Sequence, residues 1–328
     1  MQPTRRVSGE AQSGVTLAAW VREVMDNLAW AKSRHLITSG RVRVDQQWVF
    51  DPAYRLEPGQ TVEIDPTGPR RSHAPLENDR LVYVDSYVVV VRKPAGLVTV
   101  PYKDESGRVR GDTDTLVDRT AAALRESNAS NFGAKTKGKP VLGVVQRLDK
   151  DTTGLLVFAR NRKAREGLQN QFRKHEIERR YLALASGLVE STSIRSYLLP
   201  NRGDGRRGSW RGVGKKPPST AKWAVTHVFV EERLGSGDTF VSCKLDTGRQ
   251  HQIRIHLSEA GHSLIGENVY IDRQPRSSRK SERLRPMLHA HILSFRHPAT
   301  NRILRFEDPP PHDFQQMLQR LRTTTPSR

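Results

Sequence analysis

Cysteine is almost absent: Cys243 stands alone in 328 residues. An internal disulfide is therefore impossible and metal sites built on several thiolates are excluded, which suits a reducing, cytoplasmic setting. Long apolar runs are missing as well. No stretch approaches the roughly 18 consecutive apolar residues of a membrane-spanning helix, and the opening MQPTRRVSGEAQSG has no apolar signal segment. An unexported protein without a membrane partner is expected. Acidic residues are in deficit, 35 Asp+Glu against 55 Lys+Arg, which leaves a formal charge of +20. An excess of that size points to an anionic polymer as partner, nucleic acid before any anionic lipid surface. The length exceeds a usual single domain of about 100–200 residues, so two domains are expected. No repeat at a fixed period is visible.

From Thr16 onward Leu17, Trp20, Val21, Val24 and Leu28 recur at helical spacing, with Thr16 placed to cap the helix. A second helical stretch, AKSRHLITSG, carries Lys32, Arg34 and His35 and stops at Gly40, a residue suited to a left-handed C-cap. RVRV and WVF then alternate as strands around Asp45 and Gln46, and EPGQTVEI adds a Pro-Gly turn and a closing strand. From the residues alone this is either a tiny α+β domain with a solvated basic face or an RNA-binding unit. The order of parts resembles the S4-type RNA-binding module. That resemblance implies a domain at 14–66 whose second helix and hairpin offer Lys32, Arg34, Arg41 and Arg43 to folded RNA. The family often has Asn-Gly at the hairpin tip, where this chain has Asp45-Gln46. PTGPRRSHAPLEN reads as a linker, placed at 67–79.

RLVYVDSYVVVVRKPAGLVTVP reads as a hairpin around Asp85-Ser86 followed by a Lys-Pro-Ala-Gly turn. DTLVDRTAAALRES and KAREGLQNQFRKHEIE have helical periodicity, whereas ERRYLALASG and DTFVSCKLDTG alternate as strands. The expected class is α+β, with a mixed, mainly antiparallel sheet flanked by helices over 80–324. Two charged clusters stand out within it. QRLDKDTTG sets an arginine, two aspartates and a lysine against the apolar LLVFA. In TGRQHQIRIHLSEAGHSLIG, Ile253, Leu257 and Ala260 form an apolar stripe while Gln250, Arg254 and Ser258 share another face. Read together, the clusters suggest a buried carboxylate kept ionised by a guanidinium, as a nucleophile requires near neutral pH. A solvated turn without chemistry, a non-catalytic RNA-binding or ribosome-assembly protein, and a metal-dependent nuclease using Asp149 and Asp151 remain as alternatives. His251, His256, His289 and His291 lack an acidic ligand set at supporting spacing, so no metal is expected.

KPAGLVTVP, QRLDKDTTGLLVFARN, RRYLALASG and TGRQHQIRIHLSEAGHSLIGENVY, in that order, resemble the RluA-like pseudouridine synthases that modify large-subunit ribosomal RNA and some transfer RNAs. The resemblance runs from about Leu81 to Arg322. It implies an isomerase that converts specific uridines, in 23S ribosomal RNA or alternatively transfer RNA, to pseudouridine with neither cofactor nor metal. Carried onto this sequence, the catalytic aspartate falls on Asp149, the active-site tyrosine on Tyr181, and the basic residue paired with the carboxylate on Arg254. The arginine that fills the place of the extruded base falls on Arg147. Most relatives have His before that arginine, and this chain has Gln146. A target uridine must leave its stack to react, at a cost of roughly a few kcal/mol. Two basic segments could supply compensating phosphate contacts: one with Arg202, Arg206, Arg207, Arg211, Lys215 and Lys216, the other with Arg273, Arg276, Arg279 and Lys280. Either could equally be a solvated loop. The resemblance carries no obligate protein partner, and a monomer is expected.

Overall fold

A computed structural model describes residues 4–7, 14–68, 75–103, 109–110, 114–127, 142–212, 214–271 and 284–324. The second basic segment, with Arg273, Arg276, Arg279 and Lys280, lies outside these. The chain divides into two compact units, residues 1–81 with 97–142 and residues 82–96 with 143–328. Residues 97–142, expected within the larger domain, thus group with the first unit.

In the first unit, α1 (Leu17–Val24) begins where Thr16 accepts a hydrogen bond from the Ala19 N–H. Its apolar face, Leu17, Trp20 and Val21, is fully buried. The second helix, α2 (Trp30–Thr38), ends before Gly40, whose φ of 67° is the left-handed turn the sequence suggests. Both helices pack on a small antiparallel sheet of β1 (Thr4–Val7), β2 (Val42–Val44), β3 (Gln47–Trp48) and β4 (Thr61–Ile64), in the order β1-β4-β2-β3. The β1 strand lies ahead of the expected start at residue 14. At the β2–β3 turn Asp45 and Gln46 have φ of 49° and 66°. Two successive positive φ values are what a tight hairpin turn demands and what Asn-Gly normally supplies. Here the Asp45 carboxylate secures the turn by accepting the Thr61 N–H and the Gln60 amide. The same unit holds β7 (Tyr102–Lys103), β8 (Val109–Arg110) and α3 (Leu116–Ser127), the last with Leu116, Thr120 and Ala123 buried as its periodicity indicates.

The second unit is built on an 11-stranded sheet. β5 (Leu81–Val84) and β6 (Val88–Lys93) flank the turn at Asp85, whose carboxylate accepts the Tyr87 and Val88 N–H groups. β9 (Gly143–Val144) and β10 (Thr153–Ala159) follow, then α4 (Arg162–Arg173), capped by Asn161, with Ala164 and Leu168 turned inward. The remaining elements are β11 (Glu178–Ala185), β12 (Thr192–Leu199), β13 (Gly208–Ser209), β14 (Lys222–Arg233), β15 (Thr239–Leu245), α5 (Gln252–Glu259), β16 (Leu288–Arg296), β17 (Ile303–Glu307) and α6 (His312–Thr323). The strand order is β13-β12-β14-β15-β11-β16-β10-β6-β5, with β17 on β16 and β9 on β10.

The β10–β16 pairing is parallel, whereas β10 runs antiparallel to β6. Gly154 makes the close approach possible. It has φ of 110°, and a Cβ there would lie 2.2 Å from the Ala290 carbonyl oxygen. Every residue of β10 is buried, so this strand is a rigid floor for the turn that precedes it. The structure differs from the sequence reading at α5. Its residues Gln252–Ser258 are buried on all faces rather than on one stripe, and Gln250 precedes the helix. Polar side chains here find internal partners: Gln252 bonds Thr247, Thr226 and the Val225 carbonyl, while His256 bonds Thr226 and Ser196.

Candidate active site

The turn ahead of β10 carries the first charged cluster. Each of its carbonyls is held by a donor: Asp149 by the Thr152 N–H at 3.2 Å, Lys150 by Lys93 Nζ at 2.6 Å and Asp151 by Arg285 Nη1 at 3.2 Å. Lys93 comes from the Lys-Pro-Ala-Gly motif and is 1% exposed. Burial drives its pKa down to about 7 against the opposing pull of Asp151 and Asp149. Lys93 and Arg285, reaching the main chain from outside the cluster, thus hold a turn whose Asp149 side chain remains 22% exposed.

The second cluster meets Asp149 from α5. Arg254 Nη1 stands 3.7 Å from one Asp149 oxygen, and His251 Nε2 stands 3.7 Å from the other. The strongest partner of Arg254 is a residue the sequence reading gave no role, Glu267. Arg254 donates from Nε and Nη2 to its two oxygens, each at 2.7 Å, and the Glu267 side chain has no exposure. Burial opposes the Glu267 charge, but the Arg254 bonds and the N–H groups of Val269 and Tyr270 outweigh it and hold its pKa below the ordinary value. Arg254 is likewise raised in spite of burial, by Glu267 first and Asp149 after it. The guanidinium is thus a fixed cation neutralised on its buried side, with Nη1 turned to Asp149. A lone acid with no repeat or spacing partner leaves no signal in a sequence, although Glu267 sits inside the quoted GENVY stretch.

His251 caps α5 in the left-handed region, with φ of 59°. Its Nδ1 lies 2.7 Å from the Tyr270 hydroxyl, and the Arg254 guanidinium lies 5.4 Å from the Tyr270 ring centre. Burial pushes the His251 pKa down, with Asp149 opposing and the Arg254 and Arg207 charges assisting. The other three histidines are hydrogen-bonded within the fold: His256 as above, His289 to Thr153 and the Asp308 carbonyl, His291 to that same carbonyl.

Tyr181 lies on β11 beside a break in register between Arg180 and Tyr181 and is 8% exposed. Burial raises its pKa. The nearby cation is Arg179, not Arg254, and it fails to offset that burial, while the Asp149 charge adds to the rise. The phenol is therefore protonated at neutral pH. Arg147 is exposed on the approach to the Asp149 turn, and next to it Gln146 Nε2 is buried with no hydrogen-bond partner among the described residues.

In the first unit Lys32 and Arg34 are exposed. Arg41 and Arg43 are engaged internally: Arg41 Nε donates to the Gly68 carbonyl, and Arg43 lies 4.0 Å from the Trp48 ring centre and 3.9 Å from Glu63. The first basic segment is held by local contacts. Asn201 accepts the Gly203 and Gly205 N–H groups, Arg202 pairs with Asp204, and β13 joins the sheet edge.

Residues 87–259 match the family described as RNA pseudouridylate synthase. The chain is 32% identical to "Ribosomal large subunit pseudouridine synthase D" of Zymomonas mobilis subsp. mobilis, over 97% of this chain and 98% of that protein. It is 33% identical to "Uncharacterized RNA pseudouridine synthase YlyB" of Bacillus subtilis, over 84% and 88%. Among solved structures it resembles "Human RNA Pseudouridylate Synthase Domain Containing 4" in fold, with a TM-score of 0.56 and 22% identity over 76% of this chain and 95% of that one.

Proposed function

Because this chain belongs to the RNA pseudouridylate synthase family and is an RNA pseudouridine synthase, we propose that Asp149, Arg254 and Tyr181 carry the isomerisation and that its substrate is large-subunit ribosomal RNA. The observation that carries the site is the partly buried Asp149 carboxylate 3.7 Å from a buried guanidinium already neutralised by Glu267. The ribosomal substrate rests on the printed names of relatives such as the Zymomonas mobilis protein and on the charge of +20. A cytoplasmic setting is part of this reading and is supported by the lone, buried Cys243, which suits a reducing compartment.

The reaction breaks the bond from uracil N1 to ribose C1′, turns the base and joins C5 to C1′; the C5 proton is lost and N1 takes up a proton, so the composition is unchanged. Asp149 acts at the ribose, either by attack on C1′ or by promoting a glycal. Arg254 faces the carboxylate at 3.7 Å and steadies its position without competing for it through a short bond. The Tyr181 ring faces the uracil, and its protonated hydroxyl can take the C5 proton only while handing on its own. Arg147 takes the place of the extruded uridine. The S4-like module supplies phosphate contacts through exposed Lys32 and Arg34, with Arg41 and Arg43 bracing its surface. The test is tritium release from RNA labelled at uridine C5. Release by wild type but not by Asp149→Asn supports the assignment, and equal release by both removes Asp149 from it.

A further inference from the structure

The β12–β14 edge carries two large aromatic side chains that no internal core accounts for. Tyr197 and Trp223 are cross-strand partners, 40% and 42% exposed, with ring centres 4.9 Å apart and planes inclined at 55°. They stand on the sheet face opposite Ser196 and Thr226, which reach towards α5 through His256. Their surroundings are cationic. Arg195 lies two residues from Tyr197 and Lys222 adjoins Trp223, both exposed. The stretches Thr192–Leu199 and Lys222–Val230 contain no acidic residue. The Trp210 N–H donates to the Tyr197 carbonyl, which places exposed Arg211 alongside.

The pair is also tied to the active-site turn. Arg249 Nε donates to the Trp223 carbonyl at 3.0 Å, the Val225 N–H to Thr247 at 2.9 Å and Gln252 to the Val225 carbonyl at 2.9 Å. His251 and Arg254, which face Asp149, follow directly from that turn. Arg207 of the 201–212 segment, which leads into β13 beside β12, is close enough for its charge to act on His251 and Tyr270.

We infer that Tyr197 and Trp223 form a stacking platform for an unpaired base of the RNA near the target uridine, with Arg195, Arg211 and Arg249 holding the adjoining phosphates. Exposed aromatics set among cations are the recurring means of holding single-stranded nucleic acid, because every base offers a π face. The inference rests on the RNA-modifying reading and specifies where a strand leaving the site is held.

The experiment compares the full-length protein with Tyr197→Thr/Trp223→Thr, which keeps β-branched residues in both strands, and with Tyr197→Phe/Trp223→Phe, which keeps the rings. Two probes are used, a single-stranded oligouridylate and an abasic ribose-phosphate oligomer of the same length. Binding of oligouridylate should weaken on the order of tenfold in the Thr variant and stay near wild type in the Phe variant. Binding of the abasic oligomer should be equal in all three. Equal oligouridylate affinity in all three, or the same loss on both oligomers, overturns the platform; the first leaves the aromatic pair as strand stabilisation or a protein-docking surface. Loss of pseudouridine formation by the wild type itself would instead overturn the enzymatic reading, while base-dependent binding would still identify the platform.

Discussion

Glu267→Gln probes the buried arginine most sharply. Arg254 reaches both Glu267 oxygens at 2.7 Å, and the same carboxylate accepts the Asn268 and Val269 N–H groups at 3.1 and 2.9 Å. An amide of equal size keeps one acceptor, turns an NH2 towards the guanidinium in place of the other and removes the charge. Removing one member of a buried pair costs about 3–5 kcal/mol, because the remaining charge is uncompensated. Asp149, 3.7 Å from Arg254 Nη1, can take up part of that demand, so the expected loss is at the lower end, about 3 kcal/mol. The compensation has a functional cost: drawing Asp149 towards Arg254 misplaces it by a fraction of an ångström to an ångström, enough to slow pseudouridine formation by up to about a hundredfold. Glu267 has a folded pKa below its ordinary value. Its stabilisation is therefore present above the unfolded pKa and lost as pH falls through the folded one. Urea unfolding of both proteins at pH 7 and again below about pH 4 tests this: the gap should be full at neutrality and close in acid. Equal midpoints at pH 7, or a gap that persists in acid, would refute the reasoning.

Gly154→Ala should be among the most damaging small substitutions, because the new Cβ meets the Ala290 backbone in a left-handed conformation; thermal unfolding should show a loss of several kcal/mol, on the order of 3 or more, and an unchanged melting temperature would contradict it. His256, whose pKa burial pushes down to about 4, should make the protein less stable as pH falls from about 6.5 towards 4, by at most about 3 kcal/mol, and His256→Asn should flatten that slope in denaturant titrations. Tyr181→Phe should bind RNA normally yet release C5 tritium far more slowly, and release at the wild-type rate would leave the ring alone as its contribution. Lys32→Ala/Arg34→Ala should make the dependence of RNA affinity on salt shallower by about 1.4–1.8 in logarithmic slope, for two phosphate contacts to folded RNA with single-stranded and paired parts; an equal slope would mean that neither side chain touches the backbone.

How much of this was legible in the sequence depended on whether a feature repeats. The helices at Leu17–Val24, Leu116–Ser127 and Arg162–Arg173 and the strands flanking Asp85 follow from periodicity and turn chemistry, since one face of each meets a core. The α5 helix misled because its polar residues are buried too, Gln252 and His256 with partners from β12, β14 and the preceding turn and Arg254 with Glu267, so no solvent face exists to produce the expected stripe. The meeting of Asp149 with Arg254 was expected from the family resemblance. The Glu267 side of the arginine and the His251–Tyr270 bond join residues 13 and 19 apart across a chain reversal, and the clamping of the Asp149 turn by Lys93 and Arg285 comes from segments remote in sequence. Only folding brings those groups together. The β1 strand was missed for a related reason: four residues carry too little pattern to distinguish a strand from a leader.

The central claim is that an anionic Asp149 performs the isomerisation. The most direct measurement is C5 tritium release from labelled ribosomal RNA by wild type and Asp149→Asn, at matched RNA occupancy established by direct binding. The amide is close in size to the carboxylate but cannot act as an anion at the ribose. The account predicts full binding by the variant with no tritium release above background, and sustained release by Asp149→Asn would contradict it.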